Sequence, residues 1–234
     1  MTEPLLKVRG VQTFYGKIQA LKGIDMDVNA GEIVTLIGSN GAGKSTLMMT
    51  ICGTPRARSG SIHFDGKDIT QLGPRERNIA QVFQFPVLYD TMTVFDNLAF
   101  PLRNRGWKEA AVRTRVSEVA ELLDLAGDLK RRARGLPPDA QQKISLGRGL
   151  VRTDVAAVLL DEPLSNLDAA SRLELRSMLR GLVREKGLTV LCVLHDQKDA
   201  LAMADRLGVM RGGKIIQSGL PIDVYRRPAD SWTA

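Results

Sequence analysis

The chain has 234 residues, of which 44% are hydrophobic and 25% are charged, so it is long and apolar enough for a folded domain and is not a disordered or fibrous chain. Its formal charge of +7 is scattered apart from one dense basic run at 129–134, which we expect to be a solvated face and not a nucleic-acid site. Its two cysteines lie in apolar runs, which argues against a disulfide framework and favours a reducing, cytoplasmic setting.

The first third of the chain alternates strands with turns and then becomes helical. Short alternating segments, with a turn at Gly16, predict a β-rich opening that leads into an apolar strand at 33–37. A helical pattern follows over 44–52, a strand and turn are predicted at 61–66, and a short buried strand is predicted at 80–85. This order indicates a mixed α/β fold.

Residues 93–150 differ because they read as a helical insert. Apolar residues recur at helical spacing within 109–125, and a second helix is predicted over 139–152. The α/β alternation then resumes, with strands at 155–160, 188–194, 207–210 and 214–217 and helices at 169–185 and 197–204.

The segment GSNGAGKST has the spacing of a phosphate-binding loop between a strand and a helix. Its glycines let backbone N–H groups turn toward phosphate oxygens at a helix N-terminus, where the helix dipole also favours anions. We expect the lysine to reach the β- and γ-phosphates of a nucleotide and the serine hydroxyl that follows it to ligate Mg²⁺. The predicted nucleotide-binding residues are Gly38, Ser39, Asn40, Gly41, Ala42, Gly43, Lys44, Ser45 and Thr46.

Polar side chains also follow three other predicted strands. Asp161 is expected to complete the Mg²⁺ shell, and Glu162 to orient or activate the attacking water. The carboxyl ends of parallel strands meet at the ligand crevice, so His195 is expected to contact the γ-phosphate. Gln84 could bond Mg²⁺ or the water. The predicted catalytic residues are thus Glu162, His195 and Gln84, and the predicted metal ligands are Ser45, Gln84 and Asp161.

In this order, these motifs resemble the nucleotide-binding subunit of ATP-binding cassette (ABC) transporters, importer type, over nearly the whole chain. The resemblance implies an α/β P-loop NTPase fold, an ABC-type ATPase core with an N-terminal antiparallel β-subdomain and a helical insert. It implies ATP and Mg²⁺ as cofactors and Tyr15 as the aromatic residue that stacks on adenine. It also implies head-to-tail dimers in which each ATP is shared between two chains. The turn that meets the partner would be Ser165, Asn166, Leu167 and Asp168.

One segment departs from the family pattern. The signature turn, which reads L-S-G-G-Q in the family, falls on Leu136, Pro137, Pro138, Asp139 and Ala140. The prolines have no N–H to donate to a phosphate, and the aspartate adds a repelling charge. We expect the helix to survive, with Asp139 as its N-cap and Gln142 completing a capping box. The isolated chain should therefore hydrolyse ATP slowly.

The resemblance also implies an organisation and partners. We expect a single ATP-binding domain over 1–234, with an α/β core and β-subdomain at 1–87 and 151–234, a helical subdomain at 88–150 and no C-terminal regulatory domain. The expected partners are a second ATP-binding subunit, transmembrane permease subunits and an external substrate-binding protein, with no nucleic acid. The expected location is peripheral, at the cytoplasmic face of the membrane.

The transported substrate and the role of the subunit stay open. Residues 4–70 look most like ATPases of branched-chain amino acid importers, whereas 75–168 and 219–232 look more like those of sugar or polyol importers. Shared family features or a mosaic, engineered chain would both give this pattern. The alternative function is a weakly hydrolysing or non-hydrolysing ATP-binding regulatory subunit. A cassette ATPase of DNA repair or translation would usually show a second cassette or a long coiled-coil insert.

Overall fold

The computed structural model describes residues 3–165, 167–231 and 233, and only the backbone of Lys186. In chain order, the elements are β1 (Leu6–Tyr15), β2 (Ile18–Val28), β3 (Ile33–Ile37), α1 (Lys44–Cys52), β4 (Ser59–Phe64), β5 (Lys67–Asp68), β6 (Ala80–Val82), α2 (Val94–Arg103), α3 (Glu109–Leu122), α4 (Pro138–Leu150), β7 (Ala157–Asp161), α5 (Ala169–Lys186), β8 (Thr189–Val193), α6 (Gln197–Met203), β9 (Arg206–Arg211), β10 (Lys214–Gly219) and α7 (Pro221–Arg226).

An antiparallel sheet forms the N-terminal part of the fold. Its strand order is β2-β1-β4-β5, and every neighbouring pair is antiparallel. Alternate residues of β1, such as Leu6 and Val8, are buried against the helix α1, while their neighbours are more exposed. This period of two is the one that a sheet with a single buried face requires. The predicted antiparallel β-subdomain is confirmed.

A six-stranded sheet, in the order β10-β9-β3-β8-β7-β6, forms the α/β core. All pairs are parallel except β10 with β9. Strands β7 and β8 are buried along their whole length, as expected of central strands covered on both faces. The carboxyl ends of β3, β7 and β8 therefore lie together at one edge, where Asp161 ends β7 and the segments that lead to Lys44 and His195 begin.

The helices α2, α3 and α4 pack on one another beside this sheet. The predicted apolar stripe of α3 is confirmed, because Val112, Val116 and Val119 are fully buried. Gly149 on α4 lets the helix approach β6 closely, since a Cβ at this position would lie 2.8 Å from the Cγ2 of Val82. The helical insert thus shares an apolar core with the sheet. Its division from residues 1–87 and 151–234 as a subdomain stays a prediction.

Some predicted boundaries are wrong. The strand expected at 80–85 ends at Val82, so Gln84 lies in a loop after the strand. The strand expected at 155–160 is shifted to Ala157–Asp161, which makes Asp161 its last residue. Sequence patterns also did not predict α2 at 94–103, which begins after Thr93, whose hydroxyl accepts from the amide of Asp96. Among the described residues, no helix is both long and apolar enough to cross a membrane.

Candidate nucleotide-binding site

The phosphate-binding loop connects β3 to α1, and its glycines adopt a backbone that other residues disfavour. Gly41 and Gly43 have φ of 78° and 100°. At Gly38, a Cβ would lie 2.2 Å from the carbonyl oxygen of Met210. The helix α1 begins at Lys44, so the amide groups of its first turn have no carbonyl partners within the helix. The loop thus presents a helix N-terminus, the arrangement that binds phosphate.

The ammonium group of Lys44 lies within this loop. Its Nζ donates to the carbonyls of Gly38 and Ser39 at 2.9 and 3.1 Å. Burial lowers the pKa of Lys44, and the nearby carboxylates of Glu162 and Asp161 act in the opposite direction. The cation is therefore desolvated and held at the place where an anion would stabilise it most.

Asp161 is the buried last residue of β7, with 6% of its surface exposed. Burial raises the pKa of its carboxyl, and a hydrogen bond from the Ser45 side chain partly offsets this effect. Within the described part of the chain, its Oδ1 is buried without a hydrogen-bond partner. A buried, unpaired carboxylate oxygen next to a hydroxyl fits the oxygen ligands that Mg²⁺ takes. No three acidic, histidine or cysteine side chains of the described residues form a metal cluster.

Glu162 follows Asp161 in a strained backbone conformation. Its φ is +48°, which is uncommon for a residue other than glycine and costs about 1 kcal/mol or more. Bonds on both sides hold it: its amide donates to the carbonyl of Val193, and its carbonyl accepts from the Ser165 hydroxyl at 2.8 Å. Its carboxylate accepts from the Gln84 amide at 2.9 Å. These hydrogen bonds fix the orientation of the Glu162 carboxylate, and sequence patterns did not reveal them.

These groups surround one cavity of about 460 Å³, within the usual range for small-molecule sites. The loop residues 40–46 form one wall, and Gln84, Glu162 and His195 line the rest. The structure therefore brings most of the predicted site residues together. Three predicted residues are not among the described residues that line the cavity: Gly38, Ser39 and Asp161. The carbonyls of Gly38 and Ser39 bond to Lys44, and the carboxyl of Asp161 bonds to Ser45.

Tyr15 lies at the end of β1, next to the turn at Gly16, and 46% of its surface is exposed. Among the described residues it is not part of the cavity wall. The neighbouring strand β2 is connected to the phosphate-binding loop through Gly213. The carbonyl of Gly213 accepts from the amide of Lys22, and its amide donates to the carbonyl of Ala42. The adenine-stacking role of Tyr15 stays a prediction.

The predicted dimer-interface turn leads into α5. Ser165 is bonded to the carbonyl of Glu162, and Asp168 caps α5 by accepting from the amides of Ala170 and Ser171. These hydrogen bonds lower the pKa of Asp168, that from Ser171 first. Asn166, which the sequence also assigned to this turn, lies outside the described residues.

The signature position opens α4, but the predicted cap is wrong. The helix begins at Pro138 with Pro137 as its N-cap, so Asp139 is the second helical residue and makes no capping bond. Proline fits the first helical position, because its φ is already helical and its missing N–H would have no helical partner. Gln142 does not complete a capping box, since its amide donates to the carbonyl of Pro163. Leu136 and Ala140 are buried, and Pro137 and Pro138 are exposed.

Comparisons with known proteins agree with this geometry. A family profile described as ABC transporter matches residues 21–165, more than half of the chain. The sn-glycerol-3-phosphate import ATP-binding proteins UgpC of Cupriavidus necator and Pectobacterium atrosepticum are 43% and 44% identical to it over 230 residues. Each alignment covers 98% of this chain, but only 63% and 64% of the relatives. The chain therefore spans less than two thirds of their length.

Solved structures of ABC proteins share the fold. The structure of cbiO1 from Clostridium perfringens, described as part of the ABC transporter complex cbiONQ, superposes with a TM-score of 0.89 at 28% identity, over 97% of this chain and 92% of that one. The ADP conformation of MJ1267, an ATP-binding cassette of an ABC transporter, gives a TM-score of 0.87 at 28% identity, over 99% and 98%. With its phosphate-binding loop and its cavity, the chain belongs to the ABC transporter family and has the fold of its ATP-binding cassettes.

Proposed function

We propose that this chain binds and hydrolyses ATP as the nucleotide-binding subunit of an ABC importer, peripheral to the cytoplasmic face of the membrane. The observation that supports this most is the convergence of the phosphate-binding loop, Gln84, Glu162 and His195 on one cavity. The single ATP-binding domain predicted over 1–234 is part of this proposal.

The phosphates would bind at the N-terminus of α1. Its free amide groups and the Lys44 ammonium supply donors and positive charge, and the field of the helix adds to both. Lys44 would exchange its bonds to the loop carbonyls for bonds to the β- and γ-phosphates. We propose Tyr15 as the residue that stacks on the adenine.

Ser45 and Asp161 would hold Mg²⁺, with Gln84 as a further ligand. The metal would neutralise charge that develops on the phosphates. The unpaired Oδ1 of Asp161 supports this assignment, because a bond to the metal would offset the free-energy cost of burying this oxygen.

For hydrolysis, we assign Glu162 to the attacking water and His195 to the γ-phosphate. The Glu162 carboxylate would accept a hydrogen bond from the water and orient it, while the water oxygen attacks phosphorus and ADP leaves. Because Gln84 donates to that carboxylate, movement of its loop changes the orientation of the base.

The assignment is tested by comparing Glu162→Gln with Glu185→Gln, an exposed control on α5. We expect Glu162→Gln to keep ATP affinity and to lose at least about 100-fold in turnover, and the control to keep both. His195→Ala should also lower turnover more than binding. Equal turnover in Glu162→Gln and the parent chain would reject Glu162 as the catalytic carboxylate.

We also propose that this chain contributes a weak signature face to a dimer. Pro137 and Pro138 supply no amide donor, and the charge of the half-buried Asp139 lies in the first turn of α4, where it would repel a partner's phosphate. Paired with a different cassette chain that has an intact signature turn, it would form one competent and one degenerate site.

Restoring Ser-Gly-Gly-Gln at 137–140 tests this second proposal. We expect the restored chain to hydrolyse ATP faster than the parent when each is purified alone, with unchanged ATP affinity. No increase would show that the signature turn does not limit turnover. ATP binding without turnover in every pairing, including one with an intact cassette, would favour a regulatory subunit.

A groove between β6 and α4 is our candidate for permease contact. It has a volume of about 240 Å³ and includes Phe83, Val87 and Arg148 in its wall, and the neighbouring Phe85 is also exposed. Arg148 stacks on Tyr89, with its guanidinium carbon 4.6 Å from the ring centre, so its charge is held in place. We expect Arg148→Glu to prevent assembly with the permease and to leave the ATP affinity of the free chain unchanged.

For the cargo, we propose a sugar, a polyol or a phosphorylated polyol, delivered by an external binding protein. Relatives named for sn-glycerol-3-phosphate import align over 98% of this chain, including its N-terminal third, which supports one lineage over a mosaic. Co-purification of the native membrane complex, followed by binding of sn-glycerol-3-phosphate and of branched-chain amino acids to its external subunit, distinguishes the two substrate classes.

A further inference from the structure

Helix α5 carries arginines at every fourth position, Arg172, Arg176, Arg180 and Arg184. Residues four apart lie on one side of a helix. The first three reach the short helix α6: Arg172 and Arg176 contact Asp199, and Arg180 donates to the carbonyl of Ala202. These three side chains connect α5 to α6, and we call them, together with Asp199, the clamp.

Asp199 is the centre of the clamp. It is 6% exposed, and its two oxygens lie 3.8 Å from Arg172 and 3.3 Å from Arg176. A buried carboxylate needs such compensation, and losing it would leave an unpaired charge. Charge pairing with α5 thus adds to the apolar packing of Ala200 and Met203 in holding α6.

Arg172 also contacts two further segments, the one that precedes α5 and the one that precedes α6. Its guanidinium donates to the carbonyl of Leu167, in the turn before α5, at 3.4 Å. It lies 3.9 Å from the carboxylate of Asp196, which caps α6 by accepting from the amide of Lys198. One side chain thus joins Leu167 to the residue that directly follows His195.

His195 itself has few other restraints. It lies between the end of β8 and the start of α6, and its side chain is exposed at the cavity. Within the described part of the chain, its imidazole makes no hydrogen bond within the protein. Its place in the cavity therefore follows from where α6 begins.

We propose that Arg172 and Asp199 are positioning residues for His195, and that Arg172 links it to Leu167 in the predicted dimer-interface turn. This inference rests on the proposed function, in which that turn meets a partner chain and His195 meets the γ-phosphate. Movement of the turn on dimerisation would then shift α6 and bring His195 to the phosphate.

The first test uses the fact that the chain has only two histidines, His63 and His195. His63 lies on β4 in the antiparallel sheet and serves as an internal reference. In NMR spectra of the purified full chain, we expect Asp199→Asn and Arg172→Gln to shift the imidazole signals of His195 and not those of His63. Asp199→Glu, which keeps the charge, should largely restore them, and Arg184→Gln should change neither.

The second test is a double-mutant cycle on ATP turnover. Small misplacements of catalytic groups can cost up to about 100-fold, so we expect Asp199→Asn to lower kcat about 10- to 100-fold with little change in KM. In a His195→Ala background, the same substitution should have little further effect, because the residue that it positions is already absent. Arg184→Gln should keep the parent kcat.

The outcomes separate this inference from the proposed function. Unmoved His195 signals in Asp199→Asn, or fully additive losses in the cycle, overturn the positioning role. Shifted His195 signals in a chain that hydrolyses no ATP in any pairing would keep the positioning role and reject the proposed function. A lower melting temperature with unmoved His195 signals would show that the clamp serves stability alone.

Discussion

Replacing Arg77 by methionine should lower the stability of the chain, because Arg77 holds the end of α1, the helix that follows the phosphate-binding loop. Arg77 is 1% exposed, and burial lowers its pKa, so its charge is satisfied only by its protein partners. Its guanidinium donates to four carbonyls, those of Thr50, Ile51, Thr70 and Leu72, at 2.8 to 3.0 Å. Two of these carbonyls are in the last turn of α1.

Methionine fills a similar volume but leaves these carbonyls without their donor. A hydrogen bond to a charged group contributes about 1.5–3 kcal/mol, and such bonds are not additive, so we expect a loss of about 3–5 kcal/mol in the free energy of unfolding. This is a large part of the 5–15 kcal/mol that is typical of a domain. Arg77→Lys keeps the charge but not the planar fork, so its loss should be intermediate.

The measurement is urea unfolding followed by circular dichroism, with Arg75→Met as the control because Arg75 is exposed two residues away. We expect the control to change stability by less than about 0.5 kcal/mol. If Arg77→Met were no less stable than the control, the buried cation would not be what holds the end of α1.

Four further predictions concern the site and the thiols. Asp161→Asn should raise the melting temperature of the chain without nucleotide, because it removes a buried charge whose pKa is raised, and should abolish the Mg²⁺ dependence of ATP binding. In the parent chain, the raised pKa means that Asp161 is protonated at a higher pH than an ordinary aspartate, so calorimetric titrations should show Mg²⁺-dependent binding lost earlier on acidification. Gly38→Ala should abolish ATP binding in a fluorescence titration, since its Cβ would lie 2.2 Å from the Met210 carbonyl oxygen. Burial raises the pKa of Cys52 to about 12 and that of Cys192 as well, so neither thiol should react with a disulfide reagent at pH 8 until the protein unfolds.

Local signals predicted the elements on both sides of the phosphate-binding loop well, because these parts are contiguous in sequence. The bounds of β3 and α1 are those expected, since an apolar run, a glycine-rich loop and a helical period follow one another directly. The convergence of Asp161, Glu162 and His195 also followed from sequence, because parallel strands place their carboxyl ends at one edge.

The interactions that the sequence did not reveal join distant segments or depend on backbone angles. The carbonyl partners of Arg77 come from two separate segments, at 50–51 and 70–72, and no spacing rule relates them. The left-handed conformation of Glu162 is imposed by bonds to Val193 and Ser165 and has no residue signature such as glycine. At α4, two local rules competed, and the preference of proline for the first helical position prevailed over aspartate as an N-cap.

The start of α4 has an inner side that packs within this chain and an outer face that would meet a partner chain. On its inner side, Leu136 and Ala140 are buried, and Gln142 donates at 3.2 Å to the carbonyl of Pro163, directly after Glu162. On its outer side, the exposed Pro137 and Pro138 leave no amide donors. These inner contacts are expected whether or not the outer face binds a phosphate, because buried polar groups without partners are costly. The outer face alone therefore supports the proposal that this chain depends on another cassette for the signature turn, and the inner side keeps the helix start packed beside Pro163.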